Sequence, residues 1–148
     1  MKTLHSELGI GAPAPIVWEV LVNLPGWERW NPVIRAEGEL AQDERLSVTV
    51  APPGGKELRI NPTVIQLEEG RQLRWISHVL FRGILDIEQG FRVTEEDVGR
   101  CRFEQFAVFR GLLSDAVLWR SRKPFEMGFQ AMNRSLKREA ERVARERA

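Results

Sequence analysis

The sequence contains one cysteine, two histidines and no tyrosine among its 148 residues. With Cys101 alone, no intramolecular disulfide can form, and the Cys and His spacing typical of a zinc site is absent. His5 and His78 lie far apart in the chain, so neither indicates a histidine-based site. The sequence therefore predicts no metal site, no cofactor and no recognisable catalytic residue.

The chain also lacks a large excess of charge of one sign and any long apolar run. Its 22 basic and 21 acidic residues give a net charge of +1. A nucleic-acid-binding domain usually has a strongly basic face, so no nucleic-acid partner is expected. No segment reaches the roughly 18 apolar residues of a membrane span, and no signal peptide is evident at the N-terminus. We therefore expect a cytoplasmic protein without stable membrane insertion.

The first third of the chain predicts a strand and two short helices. Residues 3–10 alternate loosely between apolar and polar side chains, which is typical of a strand. A proline-led helix follows in the segment IVWEVLVNL and ends at Pro25. The segment GWERW then favours a second helical turn that Pro32 closes.

The remainder predicts an antiparallel meander of about six strands and one long helix. Short glycine-containing turns separate the strand segments, and Pro62 within one long segment indicates an edge position or a bulge. The period becomes helical from Ser114 to about Arg147, with Ser114 or Asp115 as the N-cap. Pro124 is expected to kink or interrupt this helix. The order indicates one α+β domain over residues 1–148, with about seven strands curled around the C-terminal helix.

Two stretches carry a family resemblance. They are APAPIVWEVLVNLPGWERWNP and FRGLLSDAVLWRSRKPFEMGFQAMNRSLKREAE. Both resemble the START-like, or SRPBCC, superfamily, and more narrowly its polyketide cyclase/dehydrase-like branch of small bacterial proteins. The resemblance implies a helix-grip fold whose sheet and C-terminal helix enclose a mostly apolar cavity for a small hydrophobic molecule. Fold alone does not define a reaction.

Alternation along the strands predicts which side chains would line such a cavity. One face of each of the three strands that start near residues 73, 85 and 101 is the more apolar and is expected to point inward. Polar residues on that wall would orient a ligand by hydrogen bonding. The alternative is a filled core in which the glutamines bond each other or the helix. The candidate ligand-binding residues are Trp75, Ser77, Gln89, Phe91, Phe103, Gln105 and Phe109 on the strands, and Phe129, Met132 and Asn133 on the helix.

The inward positions Gln105 and Ala107 bear on catalysis. Related sequences often carry His or Glu there, whereas an amide does not titrate and cannot act as a general base. Binding of a lipid-like, aromatic or polyketide-like ligand is therefore the leading hypothesis. The alternatives are a polyketide cyclase, aromatase or dehydratase that acts by positioning its substrate, and a START-like protein-interaction module. A monomer or a weak homodimer is expected.

Two tryptophan-containing segments complete the candidate set. In WERWNP, Trp30 is expected to anchor the second helix in the core and Trp27 to form a lid or portal at the cavity. Trp119 belongs to an apolar cluster next to Arg120. It is expected to pack against the sheet, with a membrane-touching or portal segment as the alternative.

Overall fold

The computed structural model describes residues 1–148 and has an α+β architecture of eight strands and three α-helices. The strands are β1 (Lys2–Ile10), β2 (Ile34–Glu37), β3 (Ser47–Val50), β4 (Leu58–Ile60), β5 (Thr63–Glu68), β6 (Gln72–Val79), β7 (Leu85–Asp97) and β8 (Arg100–Arg110). The α-helices are α1 (Ala14–Val22), α2 (Trp27–Trp30) and α3 (Ser114–Arg147), with a 3-10 turn at Leu24–Gly26. This confirms the expected fold class and the long C-terminal helix.

The strands form two antiparallel sheets, which corrects the expectation of one sheet of about seven strands. The five-stranded sheet has the order β1-β8-β7-β6-β5, and the three-stranded sheet has the order β2-β3-β4. Pro62 separates β4 from β5, because proline has no N–H to continue a ladder. The sheets remain joined at this point, where the Leu46 N–H donates to the Pro62 carbonyl at 2.8 Å.

Helix α3 is continuous through Pro124, so the expected interruption is wrong. The expected N-cap is also wrong: the N-cap position is Leu113, and the Ser114 hydroxyl donates to the Gly111 carbonyl at 2.9 Å. Ion pairs four residues apart support the distal half, including Lys137 with Glu141 at 2.5 Å. No helix of the structure is both long and apolar enough to cross a bilayer.

The apolar start of α3 does not pack as expected. Leu118 is buried, but Trp119 is 87% exposed. Successive helical residues lie about 100° apart, so when Leu118 takes the inward position its neighbour turns toward solvent. The prediction that Trp119 packs against the sheet is therefore wrong.

The two tryptophans of WERWNP have roles opposite to those expected. Trp27 is fully buried, and its indole N–H donates to the Leu21 carbonyl at 2.8 Å. That carbonyl belongs to the last turn of α1, where helix carbonyls have no partner within the helix. Trp30 is only half-buried, and its ring centroid lies 5.9 Å from that of Trp27. Trp27 is thus the anchor, and the prediction of a lid at this residue is wrong.

Asn31 directs the chain from α2 into β2. Its backbone is extended, with φ −87° and ψ 112°, as a following proline requires. Its side-chain oxygen accepts the N–H groups of Val33 at 3.0 Å and Ile34 at 2.9 Å. This turn brings the start of the three-stranded sheet over the inner face of the larger sheet.

Candidate functional site

The inward faces of β6, β7 and β8 follow the alternation expected from the sequence. Trp75 and Ser77 on β6, Gln89 on β7 and Gln105 on β8 are all buried. The same alternation predicts that Phe81 also points inward, and this prediction is wrong because β6 ends at Val79 and Leu80 adopts φ 71°. Phe81 is 76% exposed.

A cavity of about 40 Å³ lies between the two sheets and α3. Six residues expected in a ligand site contribute to its wall: Trp75, Ser77, Gln89, Gln105, Phe109 and Phe129. The three-stranded sheet and its flanking turns close the other side with Val33, Ile34, Val50, Pro52, Leu58 and Ile60. Phe125 and Gly128 of α3 complete the floor next to Phe129.

In this conformation the cavity is too small for a ligand of several rings. Pockets for small molecules usually measure about 300–1,000 Å³, whereas this one measures about 40 Å³. Such a volume accommodates only a few water molecules. A ligand of several rings or a long chain can enter only if part of the wall moves.

The buried amides form one continuous network with the helix. The Trp75 indole N–H donates to the Gln89 side-chain oxygen, and the Gln89 amide donates to the Gln105 oxygen, both at 3.2 Å. The Gln105 amide donates to the Asn133 oxygen at 3.2 Å, and the Asn133 amide reaches the Ser6 hydroxyl at 3.1 Å. The network joins four strands of the larger sheet to α3: β6, β7 and β8 through Gln105, and β1 through Ser6. The glutamines thus bond each other and the helix, as in the filled-core alternative, yet both still line a cavity.

Ser77 is the polar wall residue that the network leaves out. Its side chain is buried, and its hydroxyl oxygen has no hydrogen-bond partner in the structure. A buried hydroxyl without a partner costs about 1–3 kcal/mol. Among the polar side chains of the cavity wall, Ser77 is therefore the one without a hydrogen-bond partner.

The other expected site residues lie away from the cavity surface. Phe91, Phe103 and Met132 are fully buried in the main core, and Asn133 is buried within the amide network. Trp27 packs in the same core, 6.2 Å from Trp75 and 6.0 Å from Phe91 between ring centroids. These residues support the wall from behind.

Sequence reasoning missed the side of the wall that comes from the three-stranded sheet. Leu58 and Ile60 carry a signal, since they alternate with exposed Arg59 in β4. Three residues are too few for a pattern to define a face. The sequence also predicts β4 and β5 as one long segment that contains Pro62, whereas the structure has two strands. Pro52 and Gly128 carry no signal of this kind, since both are usual in turns or at helix ends.

None of the residues that line the cavity has an ionisable side chain. The histidines lie on the outer surface. His78 Nδ1 lies 2.6 Å from an Asp86 oxygen, and this hydrogen bond lowers the pKa of Asp86. His5 lies 3.4 Å from Glu104, which also pairs with Arg92 at 3.1 Å. These contacts form surface ion-pair clusters remote from the cavity.

Cys101 is expected to be unreactive in the folded protein. It is buried at the start of β8, and burial, with smaller contributions from Glu95 and Glu96, raises its pKa to about 11. At pH 8 only about one thiol in a thousand is then ionised, whereas an unfolded cysteine is ionised in about a tenth or more of molecules. Reaction with 5,5′-dithiobis-(2-nitrobenzoate) at pH 8 should be at least about 100-fold slower in buffer than in urea. Equal rates would show that Cys101 is accessible and ionised.

Comparison with known proteins places this architecture in a family. Residues 1–146 match the family described as "Polyketide cyclase / dehydrase and lipid transport". The structure is similar to the Zhui aromatase/cyclase from Streptomyces sp. R1128, with 20% identity, a TM-score of 0.74 and coverage of 95% of this chain and 94% of that chain. It is also similar to a START superfamily protein from Mycobacterium smegmatis, with 15% identity, a TM-score of 0.73 and coverage of 95% and 98%.

A third similar structure is the di-domain ARO/CYC BexL from the BE-7585A biosynthetic pathway, with 14% identity and a TM-score of 0.74. The match covers 95% of this chain and 47% of that chain, so the present chain spans about half of its length. No curated protein matches the sequence. At these identities the structural similarities establish the helix-grip fold.

Proposed function

The chain belongs to the polyketide cyclase/dehydrase and lipid transport family, and from this premise we propose that it binds a small hydrophobic molecule bearing one hydrogen-bonding oxygen. The binding site is the cavity between the two sheets and α3. The observation that carries the proposal is the buried, unpartnered Ser77 hydroxyl in a mostly apolar wall whose other polar side chains already bond to protein groups. A ligand oxygen next to Ser77 would complete the one hydrogen bond that the wall lacks.

Binding would draw its free energy mainly from the apolar wall. Each Å² of apolar surface removed from water contributes about 25 cal/mol. The glutamines contribute little directly, because each already exchanges hydrogen bonds with protein groups. Ser77 would therefore set the orientation of the ligand, while the aromatic and aliphatic side chains set the affinity.

We assign the entrance to the turn between β3 and β4, residues 51–57. This turn contacts α3 at two places: Pro52 and Pro53 lie near Gly128, and Gly55 lies near Pro124. A Cβ placed on Gly128 would lie 3.8 Å from both Pro52 Cβ and Pro53 Cδ, and one on Gly55 would lie 3.5 Å from Pro124 Cβ. The turn makes no backbone hydrogen bond to α3. The turn meets α3 through van der Waals contact alone, while its first residue, Ala51, donates its N–H to the Val33 carbonyl at 2.8 Å; the entrance therefore opens where the turn faces α3.

The chemistry of the wall favours binding over acid–base catalysis. General acid–base catalysis requires a group that titrates within hydrogen-bond reach of the substrate. No wall residue is ionisable. The proposed role is therefore to take up and hold a ligand.

A pair of probes that differ in one oxygen tests this role. We expect 2-naphthol to displace the fluorescent probe N-phenyl-1-naphthylamine about fivefold more tightly than 2-methylnaphthalene, because only 2-naphthol can bond to Ser77. The Ser77→Ala variant should bind both compounds equally. The matched control Ser47→Ala, on the exposed start of β3, should keep the preference. Absence of saturable binding to the parent protein, or a preference that survives Ser77→Ala, would contradict the proposal.

A further inference from the structure

One end of the molecule exposes a group of large apolar side chains that the cavity does not use. We call it the tip patch. It comes from the β6–β7 loop, the β8–α3 turn and the first turns of α3, and it consists of Leu80 (71% exposed), Phe81 (76%), Leu112 (83%), Leu113 (40%) and Trp119 (87%). Exposed apolar side chains in this number often mark an interaction site on a soluble protein.

Backbone hydrogen bonds hold the two loops of the tip patch together. The Leu112 N–H donates to the Gly83 carbonyl at 3.1 Å, and the Leu113 N–H donates to the Ile84 carbonyl at 2.9 Å. A Cβ placed on Gly111 would lie 2.6 Å from the Ile84 oxygen, so only glycine permits this approach. The exposed side chains therefore project from a fixed platform.

Backbone strain accompanies the exposure. Leu80 has φ 71°, a conformation that is unfavourable for a leucine and that ends the alternation of β6, so Phe81 does not reach the inward face. A chain that ended β6 with glycine or asparagine would avoid this strain. The sequence instead places a leucine and then a phenylalanine in solvent at this turn.

The charges around the tip patch indicate the partner. Residues 80–84 and 111–123 contain four basic residues, Arg82, Arg120, Arg122 and Lys123, and one acidic residue, Asp115. Arg122 pairs with Glu126 at 3.0 Å, and the Asp86 carboxylate accepts the Gly83 N–H at 3.2 Å, whereas Arg82, Arg120 and Lys123 form no salt bridge in the structure. A second copy of the same patch would meet like charge in a two-fold dimer, which disfavours self-association.

The shape of the tip patch agrees with a broad surface as its partner. None of the five main cavities and grooves of the molecule is lined by a residue of the patch. Projecting apolar side chains flanked by Arg and Lys are suited to the interface of an anionic bilayer. Tryptophan in particular favours the headgroup region.

We propose that the tip patch docks this protein onto the surface of a membrane that contains anionic lipids. Phe81, Leu112 and Trp119 enter the interface, and the basic residues contact the headgroups. The patch lies against the smaller core cluster, in which buried Leu118 and Leu85 pack with Phe109 and Phe129 of the cavity wall. Docking does not require an occupied cavity, so vesicle binding and probe binding can fail independently.

Co-sedimentation with vesicles tests the proposal on the full chain. Vesicles of phosphatidylcholine with about 30% phosphatidylserine should bind the protein, and pure phosphatidylcholine should bind it much more weakly. The variant Phe81→Ser/Trp119→Ser should lose binding by about tenfold or more, because each side chain no longer buries its apolar area. Arg120→Ser/Lys123→Ser should lower binding to the anionic vesicles only. Val98→Ser is the matched control, since Val98 is fully exposed in the β7–β8 turn at the far end of the sheet.

Three results would overturn the proposal. One is absence of binding to the anionic vesicles. The second is binding that both double variants retain at the level of Val98→Ser. The third is sedimentation of the protein as a dimer that Phe81→Ser/Trp119→Ser converts to a monomer, without vesicle binding by either. That result would assign the patch to self-association. Circular dichroism confirms that each exposed-site variant is folded.

Discussion

Replacing Gln105 by leucine should lower the free energy of unfolding by about 3 kcal/mol. Gln105 is fully buried between sheet and helix, where it accepts a hydrogen bond from Gln89 and donates one to Asn133. Leucine has a similar volume but would leave the Gln89 amide and the Asn133 oxygen without partners. Each such buried group costs about 1–3 kcal/mol, and the more apolar leucine offsets only part of that cost.

Urea unfolding of the parent protein and two variants measures this effect. Gln130→Leu is the matched control, because Gln130 lies exposed on α3, the helix that Gln105 contacts, and this variant should change the free energy of unfolding by less than about 0.5 kcal/mol. Adding Asn133→Leu to Gln105→Leu should cost less than the sum of the single changes, because the second substitution removes a group that the first left unpaired. If Gln105→Leu is as stable as Gln130→Leu, the amide network does not hold α3 to the sheet.

The sequence predicted most of the larger sheet because its strands are long and have one buried face. β6, β7 and β8 each offer four or more alternating positions, and the inward positions Trp75, Gln89 and Gln105 followed from that period. The hydrogen bonds between these side chains could not be predicted from that period. The bond from Gln105 to Asn133 joins residues 28 positions apart in the chain, and no local pattern encodes such a contact.

The sequence could not assign the two tryptophans of α2, because their roles depend on the end of another helix. Three-residue spacing puts Trp27 and Trp30 on neighbouring positions of one short turn. The Leu21 carbonyl lies in the last turn of α1 and accepts the Trp27 indole N–H at 2.8 Å, so Trp27 is the one that is buried. Trp119 was misjudged for a related reason, since α3 has room for only one of Leu118 and Trp119 on its inward side.

Cross-linking the turn of residues 51–57 to α3 should abolish ligand binding. A ligand can enter the cavity only after this turn moves away from α3. A disulfide between Pro52→Cys and Gly128→Cys should prevent that motion. The Cβ–Cβ distance would be 3.8 Å, within the range of about 3.5–4.5 Å that disulfides adopt. The native Cys101 should not interfere, because it is buried and its pKa is raised to about 11.

The locked protein should bind no hydrophobic probe, because its cavity stays near the 40 Å³ of the closed structure. Reduction of the same sample should restore binding. The comparison is internal, since both states carry the same substitutions and differ only in one bond. A single Gly128→Cys variant, which cannot form this disulfide, should bind equally with and without reductant.

The most direct test of the central claim is therefore a fluorescence titration of the Pro52→Cys/Gly128→Cys protein with N-phenyl-1-naphthylamine, before and after reduction. The account predicts no saturable binding in the oxidised protein and binding close to that of the Gly128→Cys control after reduction. Equal, saturable binding in both states would show that the hydrophobic ligand enters elsewhere or does not occupy the cavity between the two sheets and α3.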